Sequence, residues 1–151
     1  IQNNFSLLNR RFEDELAEVC RAEQVSLLPY SPIAGGVLSG KYQDGQWPEG
    51  ARFTLYQQFS SRTGIMTKRF VNERSLAATA RYMEIAREAG MSVTTLATAW
   101  TLSRDFVGAT IIGATTVEQL TDTLAAADVT LGADVLKACD KVHRDILYPM
   151  G

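Results

Sequence analysis

The apolar run at residues 25–30, Val-Ser-Leu-Leu-Pro-Tyr, most limits the fold, because it stands between helical patterns. A strand that is apolar on both faces is typical of a parallel sheet covered by helices on each side. Helical spacing precedes the run at Phe12, Leu16 and Cys20, and it returns in four later segments. No tight hairpin signal joins two apolar runs. This alternation predicts an α/β fold with a parallel sheet.

Only three predicted strands accompany five predicted helices. Besides residues 25–30, strand patterns occur at residues 1–8, which resemble the end of a strand, and at residues 109–112. The helical patterns cover residues 12–23, 72–90, 92–103, 117–127 and 133–146. Three strands cannot close a barrel and make a poor doubly wound sheet. We therefore expect the chain to be one part of a larger α/β structure.

Local signals predict how three of these helices begin. Asn72 and Ser92 can each cap the helix that follows them. Thr115 and Glu118 have the spacing of a capping box before the fourth helix. The apolar face predicted for that helix consists of Val117, Leu120, Leu124 and Ala127.

The composition favours a soluble protein without nucleic-acid or membrane partners. The chain has 151 residues, 46% of them apolar, and a net charge of −2, so it has no basic surplus for nucleic acid or an anionic membrane. Cys20 and Cys139 fall in helical patterns and are expected to be reduced core thiols in a cytoplasmic protein. The single histidine, His143, rules out a histidine metal cluster and is expected to serve surface or packing roles. The chain lacks an initial Met and a targeting pattern, and we expect it to be cut from something longer.

Two predicted strands end in loops that could hold an anion. Tyr30 leads into Ser-Pro-Ile-Ala-Gly-Gly, and Ile112 leads into Gly-Ala-Thr-Thr at a helix start. Ligands of parallel α/β folds bind beyond the carboxyl ends of strands, and helix starts present free N–H groups. The first loop is equally consistent with an ordinary turn. In the second, Thr115 or Thr116 can simply cap the helix.

The long segment at residues 43–70 is predicted to be an irregular loop. It is polar, carries three glycines and a proline, and contains several aromatic residues. Long loops of this kind are often functional. Its aromatic side chains either line a pocket or, as we favour, pin the loop to the body of the protein. Lys41 and Arg52 flank this segment's start and either pair with a phosphate or are solvated surface charges.

Three motifs in register resemble the aldo-keto reductase family. They are Tyr-Ser-Pro-Ile-Ala-Gly-Gly-Val-Leu-Ser-Gly-Lys-Tyr at residues 30–42, Ile-Ile-Gly-Ala-Thr-Thr-Val-Glu-Gln-Leu at residues 111–120, and Gln-Asn-Asn-Phe-Ser-Leu-Leu-Asn-Arg at residues 2–10. The resemblance covers essentially the whole chain and is closest to the branch of bacterial oxidoreductases and potassium-channel β subunits. It implies the C-terminal part of a (β/α)₈ TIM barrel, strands six to eight with their helices. Residues 43–70 would then follow the seventh strand.

The resemblance also implies that the chain binds NADP. Gln2 would hydrogen-bond the nicotinamide amide, and Tyr30 would stack on the nicotinamide ring. The residues that would lie along the pyrophosphate are Ser31, Pro32, Ile33, Ala34 and Gly35.

The same resemblance assigns a second group of residues to the adenosine half. This group consists of Lys41, Arg52, Gly113, Thr115, Gln119, Asp122 and Thr123. Gly113 and Thr115 would cradle the 2′-phosphate, which favours NADP over NAD. Asp122 and Thr123 depart from the Glu-Asn pair that usually contacts adenine in this family, although an Asp can still accept from the exocyclic amine.

The implied reaction is reduction of an aldehyde or ketone by hydride transfer. The family's general acid is a Tyr tuned by a Lys and an Asp, with a His that orients the carbonyl, and none of these is in this sequence. Tyr30, Tyr42 and Tyr82 lack the neighbours that would make them acids, so no catalytic residue is assigned. The expected partners are a small carbonyl substrate and the missing N-terminal part of the barrel.

Two alternatives remain open at the level of the sequence. The chain could be a non-catalytic, nucleotide-binding regulatory module, or a half-barrel that pairs with itself. In either case unpaired sheet edges invite association, so the isolated chain is predicted to be unstable unless it is paired.

Overall fold

The computed structural model describes residues 1–59 and 61–150, and its sheet consists of two short parallel strands. Strand β1, Gln2–Asn4, pairs with β2, Leu28–Tyr30, in a register that places Asn4 opposite Tyr30. A 3₁₀ turn at Arg11–Glu13 and helix α1, Leu16–Ala22, connect the strands. This confirms the predicted strand–helix–strand unit at the start of the chain.

The third predicted strand, residues 109–112, is reduced to isolated bridges beside β2. Leu27 bridges Val107, and Tyr30 bridges Ile111 in parallel fashion. The Ile111 N–H donates to the Pro29 carbonyl over 2.8 Å. The segment therefore follows β2 with too few ladder hydrogen bonds to count as a strand.

Strand β2 is covered on one face only, so the expectation of cover on both faces was wrong. Pro29 is buried, whereas Leu28 and Tyr30 are 40% and 41% exposed. Because side chains alternate along a strand, Leu28 and Tyr30 share one face, together with Gln2 and Asn4 of β1. That exposed face extends to the carboxyl ends of β1 and β2, at Asn4 and Tyr30.

Six further α-helices follow β2 within the described residues, besides 3₁₀ helices at Ala34–Ser39, Gln43–Gly45 and Ala126–Asp128. The α-helices are α2, Arg52–Phe59; α3, Ser61–Phe70; α4, Glu73–Glu88; α5, Val93–Leu102; α6, Glu118–Ala125; and α7, Ala133–Asp145. The prediction of an irregular loop over residues 43–70 was therefore wrong from residue 52 onward. Gly64 indicates irregular structure at the level of the sequence, but a single glycine inside a helix costs only about 1 kcal/mol relative to alanine and does not prevent the helix from forming.

The core is centred on Trp100 of α5, which is fully buried. Its ring contacts Phe5, with centroids 5.1 Å apart. The guanidinium carbons of Arg10 and Arg104 lie 4.8 and 4.3 Å from the indole centroid. Arg10 also donates to Glu13 and Asp140. The aromatic core thus joins α5 to the segment after β1.

Both predicted serine and asparagine caps are present. The Asn72 side chain accepts from the Ser75 N–H over 3.0 Å, and the Ser75 hydroxyl accepts in return from the Asn72 N–H. The Ser92 hydroxyl accepts from the Thr95 N–H over 3.0 Å. Cys20 and Cys139 are buried free thiols, as expected.

Removing either cap should cost stability by a modest, measurable amount. We expect Asn72→Ala and Ser92→Ala each to lower the free energy of unfolding by about 1 kcal/mol, because each leaves helix N–H groups unsatisfied. Urea unfolding measures the change, and Ser39→Ala, which removes a hydroxyl outside any helix cap, is the control. A loss below about 0.3 kcal/mol in both cap variants would contradict the capping role.

Candidate functional site

A cleft of about 1010 Å³ opens where β2 and the segment beside it end. Its first wall comes from residues 30–33, 35, 36 and 41, together with residues 48–52, 55 and 56. Its second wall comes from residues 111–116, Gln119 and Thr123. The two loops singled out in the sequence therefore face one space, because parallel segments end at the same edge of a sheet.

The first wall contains a tight turn built from left-handed backbone. Ser31, Ala34 and Gly35 have φ values of +61°, +51° and +64°. The Ser31 hydroxyl accepts from the Gly35 N–H over 3.0 Å, and the Ser31 carbonyl accepts from the Ala34 N–H over 2.8 Å. Ser31 and Ala34 are not glycines, so this conformation costs energy that the turn's hydrogen bonds must offset.

Gly35 is required by a close neighbour as well as by its backbone angle, whereas Gly36 is required by its backbone angle. A Cβ on Gly35 would lie 2.8 Å from the Phe53 ring. A Cβ on Gly36, where φ is +99°, would lie 2.8 Å from the side chain of Lys41. The glycine pair thus lets an aromatic ring and a lysine pack directly on the turn.

Lys41 and Arg52 give this wall its positive charge. Burial, followed by the nearby charge of Arg52, lowers the pKa of Lys41. Across residues 1–59 and 61–150, Lys41 and Arg52 form no ion pair. In particular, neither pairs with Glu49, which also lines the cleft. Two adjacent cations without a carboxylate favour an anionic ligand at this position.

The second wall begins at Gly113 and continues to the start of α6. Open space surrounds Gly113, since a Cβ there would meet no protein atom within 4 Å. Gln119 Oε1 accepts from the Thr115 N–H over 3.0 Å and from its hydroxyl over 3.3 Å. A backbone hydrogen bond at Glu118 itself, followed by one from the Thr116 side chain, lowers the pKa of Glu118.

The predicted Thr115–Glu118 capping box is absent. Val117 precedes the first residue of α6 and provides no side-chain cap. The Gln119 side chain instead accepts from the Thr115 N–H, so the prediction paired Thr115 with the wrong residue. The residue that precedes α6 therefore caps none of the helix's first N–H groups with its side chain.

The cleft collects most of the residues that the sequence singled out. Those that line it are Tyr30, Ser31, Pro32, Ile33, Gly35, Lys41, Arg52, Gly113, Thr115, Gln119 and Thr123. Gln2 is exposed on β1, where it lies opposite Leu28 and therefore on the same face as Tyr30. It does not line the cleft. Ala34 is fully buried, and Asp122 is exposed, with its carbonyl accepting from Thr95.

Sequence reasoning missed several lining residues. Leu55 and Tyr56 of α2 line the cleft, with residues 48–51 before them. The aromatic content of this segment was the available signal. From the sequence, the aromatic residues of this segment are expected either to line a pocket or to pin the segment to the protein. Phe53 and Phe70 are buried and pin it, whereas Tyr56 packs on Phe53 and also lines the cleft.

No cluster of metal-ligating side chains occurs in the part of the chain that the structure describes. His143 packs edge-on against Tyr148, 5.6 Å between ring centroids, on the last helix and tail. None of the helices searched there is long and apolar enough to cross a membrane.

Comparison with known proteins identifies relatives for almost the whole chain. The profile described as "Aldo/keto reductase family" matches residues 1–144. "Protein tas" of Escherichia coli (strain K12) is 41% identical over 149 residues, which are 99% of this chain and 41% of that protein. A putative voltage-gated potassium channel subunit beta of Schizosaccharomyces pombe is 32% identical and matches 93% of this chain and 41% of its own.

Among solved structures, the glycerol dehydrogenase of Gluconobacter oxydans has the same fold. It superposes with a TM-score of 0.73 at 22% identity, over 98% of this chain and 43% of that chain. The chain thus spans about two fifths of the length of the relatives it matches.

Proposed function

Because the chain belongs to the aldo/keto reductase family, we propose that it forms the NADP-binding half of an oxidoreductase that reduces aldehydes or ketones. Its α/β fold corresponds to part of that family's (β/α)₈ barrel. The observation that carries the proposal is the cleft between two strand ends, one wall of which has a glycine turn and two cations that form no ion pair within the described residues. A dinucleotide needs these features, since its phosphates require donors and close backbone approach.

Each wall of the cleft has a distinct role in this proposal. Tyr30 presents a ring that is 41% exposed at the strand end, which suits stacking on a flat heterocycle. The turn after it offers backbone with little side-chain bulk to the pyrophosphate. Lys41 and Arg52 supply charge to the phosphates of the adenosine half. Gly113, Thr115 and the start of α6 would hold a 2′-phosphate, which is the basis for NADP over NAD.

The bound dinucleotide would supply the hydride, and this chain's residues would bind and orient it. No side chain here is proposed as the acid. Burial raises the pKa of Tyr82 and Tyr42, and hydrogen bonding to Asp14 raises that of Tyr148. A general acid works best with a pKa near the operating pH, so these shifts run in the wrong direction.

NADPH titration of the full-length gene product tests the proposal. We expect saturable quenching or shift of NADPH fluorescence, and loss of NADPH absorbance when a generic aldehyde such as 4-nitrobenzaldehyde is added. The 151-residue chain alone should not turn over the aldehyde. Turnover by that chain at the full-length rate would contradict the assignment of the acid to another part of the protein.

A non-catalytic, nucleotide-binding regulator is the second candidate. Relatives in Schizosaccharomyces pombe and rice are named as putative or probable voltage-gated potassium channel β subunits. The two candidates share the cleft and differ in turnover. NADPH binding by the full-length protein, without oxidation in the presence of a panel of aldehydes and ketones, would favour the regulator.

The pKa of Lys41 makes a pH-dependence test possible. Burial and Arg52 lower this pKa from its ordinary 10.5, so the ammonium loses its proton below that pH. A bound phosphate favours the charged form, and we therefore expect NADPH affinity to fall as pH rises toward 10.5. Lys41→Arg keeps its charge and should flatten the profile. An unchanged profile in that variant would exclude Lys41 as the titrating group.

A further inference from the structure

We propose that the Tyr42 hydroxyl is a positioning residue that holds the first turn of α2 and thereby places Arg52 in the cleft. The inference rests on the proposed binding of NADP in this cleft. It assigns Tyr42 no contact with the ligand, since this side chain does not line the cleft and is 1% exposed.

The start of α2 lacks a capping side chain of its own. Leu55 donates its N–H to the Ala51 carbonyl over 3.0 Å, which makes Ala51 the residue that precedes the helix. The methyl side chain of Ala51 cannot accept a hydrogen bond from the free N–H groups of the first turn. The Phe53 N–H instead donates to the Tyr42 hydroxyl over 3.2 Å. Tyr42, nine residues before Ala51, thus acts as the cap.

Phe53 fixes this turn from the other side. Its ring is 1% exposed and lies 5.7 Å from the Tyr42 ring and 5.1 Å from the Phe70 ring, between centroids. The ring also occupies the space that a Cβ on Gly35 would need. The residue next to Arg52 is therefore held by its backbone and by its side chain.

Arg52 receives its position from this turn. It lines the cleft, it forms no ion pair within the described residues, and its charge reaches Lys41. Among residues 1–59 and 61–150, no side chain forms an ion pair that would hold the guanidinium there before a ligand binds. A looser first turn would let Arg52 sample other positions, and the ligand would then have to order it at the cost of affinity.

A matched control exists in Tyr82. This tyrosine is also 1% exposed, and its hydroxyl also bonds to backbone, donating to the Leu7 carbonyl over 3.2 Å. It lies outside the cleft lining. Loss of either hydroxyl removes one buried hydrogen bond, so the two variants separate a general loss of stability from a loss of position.

The test measures NADPH affinity of the full-length gene product at low and high salt, with thermal unfolding in parallel. We expect Tyr42→Phe to weaken NADPH binding by about three- to tenfold, within the effect of a helix cap, and to reduce its salt dependence. Added to Arg52→Gln, it should weaken binding no further. Tyr82→Phe should lower the melting temperature comparably and leave affinity and salt dependence unchanged.

A rescue variant covers the case in which Tyr42→Phe folds poorly. Ala51→Ser places an accepting hydroxyl where α2 begins and should restore affinity in the Tyr42→Phe background. Affinity and salt dependence equal to those of Tyr82→Phe, or full additivity with Arg52→Gln, would overturn the positioning role. Absence of NADPH binding by the wild-type protein would overturn the proposed function, and with it this inference.

Discussion

Replacing Lys41 with Met and Arg52 with Gln together should weaken NADPH binding by about 10² to 10⁴-fold. Hydrogen bonds to charged groups contribute about 1.5–3 kcal/mol each, and each 1.4 kcal/mol corresponds to a factor of ten. Both cations line the cleft and neither is held by a carboxylate in the described part of the chain. Their charge is therefore available to a ligand. Fluorescence titration with NADPH measures the loss.

The matched control removes equal charge outside the cleft. Lys68 and Arg69 are exposed in the last turn of α3 and do not line the cleft. Lys68→Met with Arg69→Gln should change affinity by less than about threefold, because exposed charges at a distance are screened by salt. Equal losses in the two double variants would show that net charge, and not the cleft, binds NADPH.

Trp100→Ala should lower the free energy of unfolding by about 3–5 kcal/mol, the usual range for a buried tryptophan. The ring is fully buried against Phe5, and the guanidinium carbons of Arg10 and Arg104 lie 4.8 and 4.3 Å from its centroid. Burial lowers the pKa of Arg104, and removal of the ring also takes away the cation–π contact of this half-buried charge. Since domains are stable by only about 5–15 kcal/mol, the variant should be close to unfolded.

Trp47 provides the comparison, because it is the chain's other tryptophan and is 38% exposed. Its ring packs on Tyr42, with centroids 5.6 Å apart. Trp47→Ala should cost about 1 kcal/mol, as expected for a partly exposed ring that loses one aromatic contact. Chemical unfolding of both variants settles the order. A smaller loss for Trp100→Ala than for Trp47→Ala would contradict the placement of the core.

The end of β2 and the caps of α4 and α5 were predictable because each depends on a few adjacent residues. Ser92 and Asn72 cap helices as their spacing indicates. Packing faces were harder, because they depend on neighbours that are distant in sequence. The predicted face of α6 included Val117 and Leu124, which are 77% and 55% exposed, while Thr123 is buried. In a short helix beside a cleft, the elements packed against it decide which residues are buried, and its own sequence pattern does not show them.

The same distinction holds for the cleft. Tyr30, Lys41 and Thr115 were found because they follow strand patterns along the chain. Leu55 and Tyr56 were missed because α2 has almost no apolar stripe, and its place depends on Phe53 packing over a glycine turn. The hydroxyl of Tyr42 at the start of α2 is likewise a contact between residues eleven apart, with no local signal.

Hydrogen–deuterium exchange of the full-length protein with and without saturating NADPH tests the central claim most directly. If the cleft binds the dinucleotide, exchange should slow in peptides that cover residues 31–42 and 113–123, and peptides from α7 should not change. Saturable NADPH binding that leaves both segments unprotected would contradict the account.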